Sequence, residues 1–252
     1  MASWYRIKAE GSGPAIVYLY GTVGQDWWGE GNSALDFAKE LDDLGGRDIE
    51  LRVNSEGGDV FEGYAIYSAL NRYQGRITAY VDGLAASAAS FLIMAADEVV
   101  MGEPAFLMIH NSWTFAIGNA DELRDVSDRL DAIDGQIVGI YERKSGKSAD
   151  DIAGAMAAET WFTSEQALEW GLIDRIDEGL KAAACVSRER AKLYAAIPES
   201  VVVSDAPATV AEDAPAPGSA EAEEQALEAE IEPQERPVAR VRAYAAGVYR
   251  FK

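Results

Sequence analysis

The 252 residues carry a formal net charge of -21, with 43 acidic side chains against 22 basic ones. That excess argues against broad binding to nucleic acid or to an anionic membrane surface, both of which are themselves negative. A single cysteine, Cys185, and a single histidine, His110, exclude an intramolecular disulfide and any metal centre built mainly from those two residue types.

A hydrophobic fraction of 48% supplies one sizeable core and leaves room for an appendage. No apolar run approaches the roughly 20 residues of a membrane span. The opening Met1-Ala2-Ser3-Trp4-Tyr5-Arg6 lacks the basic-then-apolar pattern of a secretory signal, so a cytoplasmic protein is expected.

Pro14 to Leu19 reads as a strand ending at Gly21. Ser33 is placed to cap a helix with Leu35, Ala38, Leu41 and Leu44 at helical spacing, stopped by Gly45-Gly46. Ile49 to Val53 is the next strand, Val60 to Tyr73 a helix, Arg76 to Val81 a strand and Ser87 to Ala96 a helix. The strands Val99 to Met101 and Ala105 to Ile109 follow, the second delivering His110 at its end. Asn119 or Asp121 opens a long helix to about Lys144, with an apolar stripe from Leu123 through Val126, Leu130, Ile133 and Ile137 to Tyr141. Ser148 and Ser164 cap two short helices, the second ending at Gly171 before a strand at Leu172-Ile173. The alternation predicts βαβ units and a largely parallel sheet, in which ligands sit beyond the carboxyl ends of the strands.

Near Ser187 the composition changes. Pro198 to Pro237 is rich in Ala, Glu and Pro and is expected to be a disordered acidic tail. Val238 to Lys252 then interleaves Arg240, Arg242, Arg250 and Lys252 with Tyr244, Tyr249 and Phe251, a pattern suited to a short docking segment. The division expected is a domain over 1–187 and a tail over 188–252.

The chemistry-bearing residues gather on one predicted sheet edge. Ser87 lies among small neighbours, Gly83-Leu84-Ala85-Ala86-Ser87-Ala88-Ala89, at a helix start where unpaired backbone N–H groups favour developing negative charge. A serine hydroxyl needs a base to become a nucleophile, and His110 is the one imidazole in the chain. Asn54-Ser55-Glu56-Gly57-Gly58-Asp59 follows a strand, and its paired glycines can present backbone N–H groups with no side chain in the way. Each piece alone also has a plain structural reading: an N-cap serine, a packed histidine, a turn before a helix.

Taken together, Gly83 to Ser87, Met108-Ile109-His110 and Asn54 to Gly58 resemble, in order and spacing, the motifs of the ClpP-type serine peptidases. Glu165 to Asp174 resembles the family's segment before its last strand, and the likeness runs from about 14 to 180. Glu159-Thr160-Trp161-Phe162-Thr163 and the appended tail sharpen it to the ClpP-like head maturation (prohead) proteases of tailed phages. The resemblance implies a ClpP/crotonase-like α/β fold of stacked ββα units with a mostly parallel sheet. It implies Ser87 as nucleophile, His110 as general base, the N–H groups of Gly58 and Ala88 as the oxyanion hole, and Gly57 as support for that loop.

The matching position for the acid is Glu159, one methylene longer than the family's aspartate, with Asp174 and Asp177 as fallback acids. The family's loop proline is Glu56 here, and the short N-terminus lacks a counterpart of the loops that meet an ATPase in housekeeping ClpP. The expectation is therefore an ATP-independent or partner-assisted serine endopeptidase, without cofactor or metal, that cleaves capsid, scaffold or portal proteins. It would act as a homo-oligomeric ring in the bacterial host cytoplasm or an assembling prohead. The alternatives are a housekeeping-type ClpP subunit working with an ATPase, a catalytically silent capsid-assembly or scaffold protein, and a crotonase-type acyl-CoA enzyme. The last needs no Ser-His pair and tends to bring basic residues to its pocket, which this acidic chain does not cluster.

Overall fold

A computed structural model describes residues 4–24, 32–179, 186–187, 191–192 and 194–203. Residues 204–252, with most of the acidic stretch and the whole basic-aromatic end, lie outside the described residues.

The core of the molecule is a mostly parallel sheet in which buried and half-exposed residues alternate. Strands β1 (Tyr5–Lys8), β2 (Ala15–Val23), β3 (Ile49–Gly58), β4 (Ile77–Ala86), β5 (Glu98–Gly102) and β8 (Arg175–Asp177) lie side by side in that order. All neighbours run parallel except β1, which pairs antiparallel with β2. The strand β4 serves two partners. Thr78 to Val81 pair with β5, whereas Leu84 to Ala86 pair with β6 (Phe106–Ile109), which in turn takes β7 (Thr160–Thr163) antiparallel. This fork carries Ser87 and His110 to one edge.

Helices α1 (Ala34–Asp42), α2 (Val60–Asn71), α3 (Ala88–Leu92), α4 (Ala120–Ser145), α5 (Ala149–Ala157) and α6 (Ser164–Trp170) connect the strands, as the alternation predicts. Ser33 caps α1 through a capping box with Asp36, Asn119 caps α4 through one with Glu122, and Ser148 caps α5. The parallel α/β class is thus observed, and several local expectations are corrected.

The buried face of α1 is Ala34, Phe37 and Leu41, and Leu35 is 63% exposed. The large Phe37 turns the helix toward an aromatic cluster with Trp4 and Tyr5, rotating it away from the expected stripe. Thr163, one residue earlier than expected, caps α6, because the Ser164 hydroxyl is buried and donates to the Glu103 carbonyl at 3.0 Å. Leu172 and Ile173 are not a strand. Leu172 N–H closes back on the Ala167 carbonyl at 2.9 Å after the left-handed Gly171, and the chain rejoins the sheet only where Asp174 N–H reaches the Val99 carbonyl.

The long helix α4 packs by its second half alone: Ile137, Ile140 and Tyr141 are buried, while Leu123 in the first half stays 44% exposed. Leading into it, Trp113, Phe115 and Ile117 are also exposed. At the other end of the chain, residues that composition assigns to the tail are packed. Val201 is fully buried, and β10 (Val202–Val203) pairs with β9 (Val186–Ser187).

Candidate active site

The site grows from the register of β4 and β6. Ala85 pairs with Leu107 and Ala86 with Met108, and the Ser87 N–H continues the ladder onto the Met108 carbonyl at 3.0 Å. Ser87 therefore leaves the strand directly, with no intervening turn, at φ 53° and ψ −125°. A positive φ in a non-glycine residue costs about 1–3 kcal/mol and persists only where the surroundings enforce it. Here Ser90 supplies the enforcement, since both its N–H (2.9 Å) and its hydroxyl (2.6 Å) donate to the Ser87 carbonyl. With its one proton used there, the Ser90 hydroxyl accepts from the Tyr141 hydroxyl at 2.7 Å, tying the bend to α4.

Two residues beyond Met108, His110 brings Nε2 to 2.8 Å from Ser87 Oγ. With the serine as donor, Nε2 is the acceptor and the ring proton sits on Nδ1, the tautomer a general base needs. Burial holds the imidazole below its ordinary value of 6.5, against the opposing pull of the negative Glu159 and Asp134. The chain just past His110 is pinned by Asp134, whose Oδ1 accepts the Ser112 N–H and hydroxyl, both at 2.7 Å.

Gly57 and Gly58 lie at the end of β3 rather than in a separate loop, because the strand runs on through them beside β2. Gly57 has φ 89°, and a Cβ on it would stand 2.6 Å from the Ala86 carbonyl oxygen, 2.8 Å from Ala88 N and 2.8 Å from Ser87 Cβ. Only glycine leaves the space in front of the Ala88 amide open. A Cβ on Gly58 would run into the Val23 backbone. The Ser55 hydroxyl donates to the Gly21 carbonyl at 2.5 Å and accepts the Gly57 N–H at 3.1 Å, so the glycines are held from both sides.

Glu159 also has a positive φ, 50°, in the turn after α5. Its charge is felt at His110, yet its carboxylate is engaged elsewhere. Oε2 accepts the Ala195 N–H at 2.8 Å, and Oε1 accepts the Ala196 N–H at 2.7 Å and Trp161 Nε1–H at 3.2 Å. Among the described residues no carboxylate is hydrogen-bonded to His110. The fallback acids serve the frame: Asp174 accepts the Val99 N–H at 2.7 Å and pairs with Lys144 at 2.6 Å, and Asp177 accepts the Gly179 N–H.

This arrangement can deliver a deprotonated serine oxygen to a carbonyl carbon, with backbone N–H groups close by. The family profile described as Clp protease matches residues 12–179. The chain belongs to the Clp protease family. It is 30% identical over 138 residues to the ATP-dependent Clp protease proteolytic subunit of Porphyromonas gingivalis, covering 53% of this chain and 61% of that one. Proteolytic subunit 1 of the Streptomyces avermitilis enzyme is 31% identical over 135 residues, covering 53% and 62%. The corresponding subunit of Chlorella vulgaris is 28% identical over 130 residues, covering 51% and 65%. The chain thus spans less than two thirds of the length of these curated relatives.

Sequence reasoning did not find Ser90 on α3, Tyr141 and Asp134 on α4, and Ser112 just past His110, which together hold the pair in place. Ser90 carried a signal, three residues after Ser87 at a helix start, but Tyr141 and Asp134 read only as part of a helix. Nor did it find Tyr194, whose ring centroid lies 6.2 Å from that of His110. Among the described residues no group of three or more His, Cys, Asp or Glu is arranged for a metal ion, and no helix is long and apolar enough to cross a membrane.

Proposed function

We propose that this chain is a serine endopeptidase in which Ser87 attacks the scissile carbonyl and His110 takes its proton. The observation that carries the reading is the 2.8 Å contact between His110 Nε2 and Ser87 Oγ at an enforced backbone bend. In the reaction, Ser87 Oγ bonds to the carbonyl carbon, and its proton moves to Nε2. The oxyanion is met by the N–H groups of Gly58 and Ala88, donors of a kind worth on the order of 100- to 1000-fold in rate each. The imidazolium then gives the proton to the leaving amine, and water repeats the cycle on the acyl-enzyme. Glu159 is proposed as the acid: its negative charge favours the charged form of His110, and it would orient the ring once its carboxylate leaves the Ala195 and Ala196 amides.

The substrates proposed are capsid, scaffold or portal proteins cleaved during phage head maturation. Two features support this choice: the Glu159 to Thr163 segment and the acidic stretch that follows the packed residues ending at Val203. We assign that stretch to recruitment, with the basic-aromatic Arg240 to Lys252 docking on a capsid or scaffold partner. A second reading, a subunit that works with an ATPase, draws on the names of the relatives, which are proteolytic subunits of an ATP-dependent protease. In either case a ring of copies is proposed, built through the uncovered first half of α4 and the apolar run of Trp113, Phe115 and Ile117.

The test is hydrolysis of peptides and of denatured protein without nucleotide, by the intact chain and by Ser87→Ala. Hydrolysis that disappears in Ser87→Ala supports the peptidase. Hydrolysis that survives it refutes Ser87 as the nucleophile. Cleavage of head proteins in an assembling particle, lost with the same substitution, supports the maturation role; strict dependence on an added ATPase selects the second reading.

A further inference from the structure

The strands β4 and β6 show two apolar faces. Ala85, Leu107 and Ile109 point into the main core, while Leu84, Ala86 and Met108 alternate to the other side. That second face borders Ser87 and His110, and the chain's own later residues cover it. Val186 and Val201 are buried on it, with Tyr194 and Ile197 packed alongside.

The same segment reaches three parts of the site. Tyr194 sets its ring near that of His110 and edge-on to Trp161, with centroids 6.2 and 5.4 Å away. Its hydroxyl donates to the Glu56 carbonyl at 3.3 Å, one residue before Gly57. The next two residues, Ala195 and Ala196, give their N–H groups to the two oxygens of Glu159.

We propose that residues 194–203 are a strap that holds the enzyme in a resting state. They occupy the apolar face beside Ser87 and keep the Glu159 carboxylate on the Ala195 and Ala196 amides instead of on His110. The inference rests on the peptidase reading above and adds to it a released state in which Glu159 turns to the imidazole. The two hydrogen bonds from consecutive backbone amides explain why the acid at the family's position is not bonded to the base. A glutamate suits the device, since one methylene more than aspartate gives the carboxylate two places to go.

The experiment compares three full-length proteins: the intact chain, Ala195→Pro/Ala196→Pro, which removes the two amide donors, and Tyr194→Ala, which removes the ring beside His110. The readout is the rate at which a small fluorophosphonate labels Ser87, with peptide kcat/KM alongside. Release of the strap is expected to raise both by at least about 10-fold, a small part of the roughly 100- to 10,000-fold that a positioned acid–base group supplies. In a Glu159→Gln background the proline pair should gain nothing. Labelling of the intact chain as fast as both variants overturns the strap while leaving the peptidase standing. A gain that persists in full with Glu159→Gln overturns the withdrawal of the acid. No labelling of Ser87 in any of the proteins overturns the peptidase reading, and the strap with it.

Discussion

The proposed nucleophile and base on one side, and the proposed acid on the other, are held by two different kinds of structure. Ser87 and His110 stand at the ends of adjacent, register-locked strands, one and two residues respectively past the pairing of Ala86 with Met108. Nothing short of breaking that ladder separates them. Glu159 stands in a left-handed turn after α5, and a segment some 36 residues later in the chain holds its carboxylate. The pair is built by the core of the fold, whereas the acid depends on an appended piece. On the mechanism proposed, rigid strand register makes the Ser87–His110 pair constitutive, and a turn and a strap make Glu159 conditional.

The largest effect expected is loss of either member of the rigid pair. Ser87→Ala and His110→Ala should each lower peptide hydrolysis by roughly three orders of magnitude or more without changing the fold. More than a tenth of the original activity in either variant contradicts the mechanism. Gly57→Ala comes next. Its Cβ would press on the Ala86 carbonyl oxygen and cover the Ala88 amide, so kcat should drop by about 100-fold or more. A fully active Gly57→Ala removes the Ala88 amide from the oxyanion hole.

Glu159→Gln is expected to cost about 10-fold or more once the strap is released, and less in the intact chain, where the carboxylate is already withdrawn. The pH profile gives an independent reading. Burial depresses the His110 value, so the acid limb of kcat/KM should fall below pH 6.5. Glu159 opposes that shift, and replacing it with neutral glutamine should move the limb to still lower pH. An unmoved limb, together with an inactive Asp174→Asn or Asp177→Asn, would transfer the acid role elsewhere.

The smallest catalytic effect belongs to the exposed apolar run. Phe115→Asp with Ile117→Asp should reduce the assembled mass seen by light scattering while leaving the monomer folded, because both side chains are more than four-fifths exposed in the single chain. An unchanged mass removes these residues from the ring contact.

What the sequence reveals of this site follows from how local each signal is. The glycine pair ends a strand of plain period-2 pattern, Ser87 follows a strand that starts with one, and His110 ends a short continuous apolar run, so their common edge follows from parallel topology. The capping residues Ser33, Asn119 and Ser148 are equally local. The bend at Ser87 is only partly so, for Ser90 three residues on holds it, while the Tyr141 hydroxyl that fixes Ser90 lies 51 positions further along the chain. The strap is less local still. Apart from Tyr194 and Glu199 its residues are small or aliphatic and pass for the start of a low-complexity tail, and tertiary contacts alone distinguish them, such as the burial of Val201 in one cluster with Leu84 and Met108. The helix α1 lies where its cap and spacing predict, but Leu35 faces solvent for a related reason, since the large Phe37 takes the buried face beside Leu41.

The central claim is that Ser87 is a nucleophile activated by His110, and mass spectrometry of the full-length protein after exposure to a fluorophosphonate tests it most directly. The account predicts a single adduct that maps to Ser87, is absent from Ser87→Ala, and forms at least about 1000-fold more slowly in His110→Ala. No adduct on Ser87, or labelling of Ser87 at an undiminished rate without His110, would contradict it.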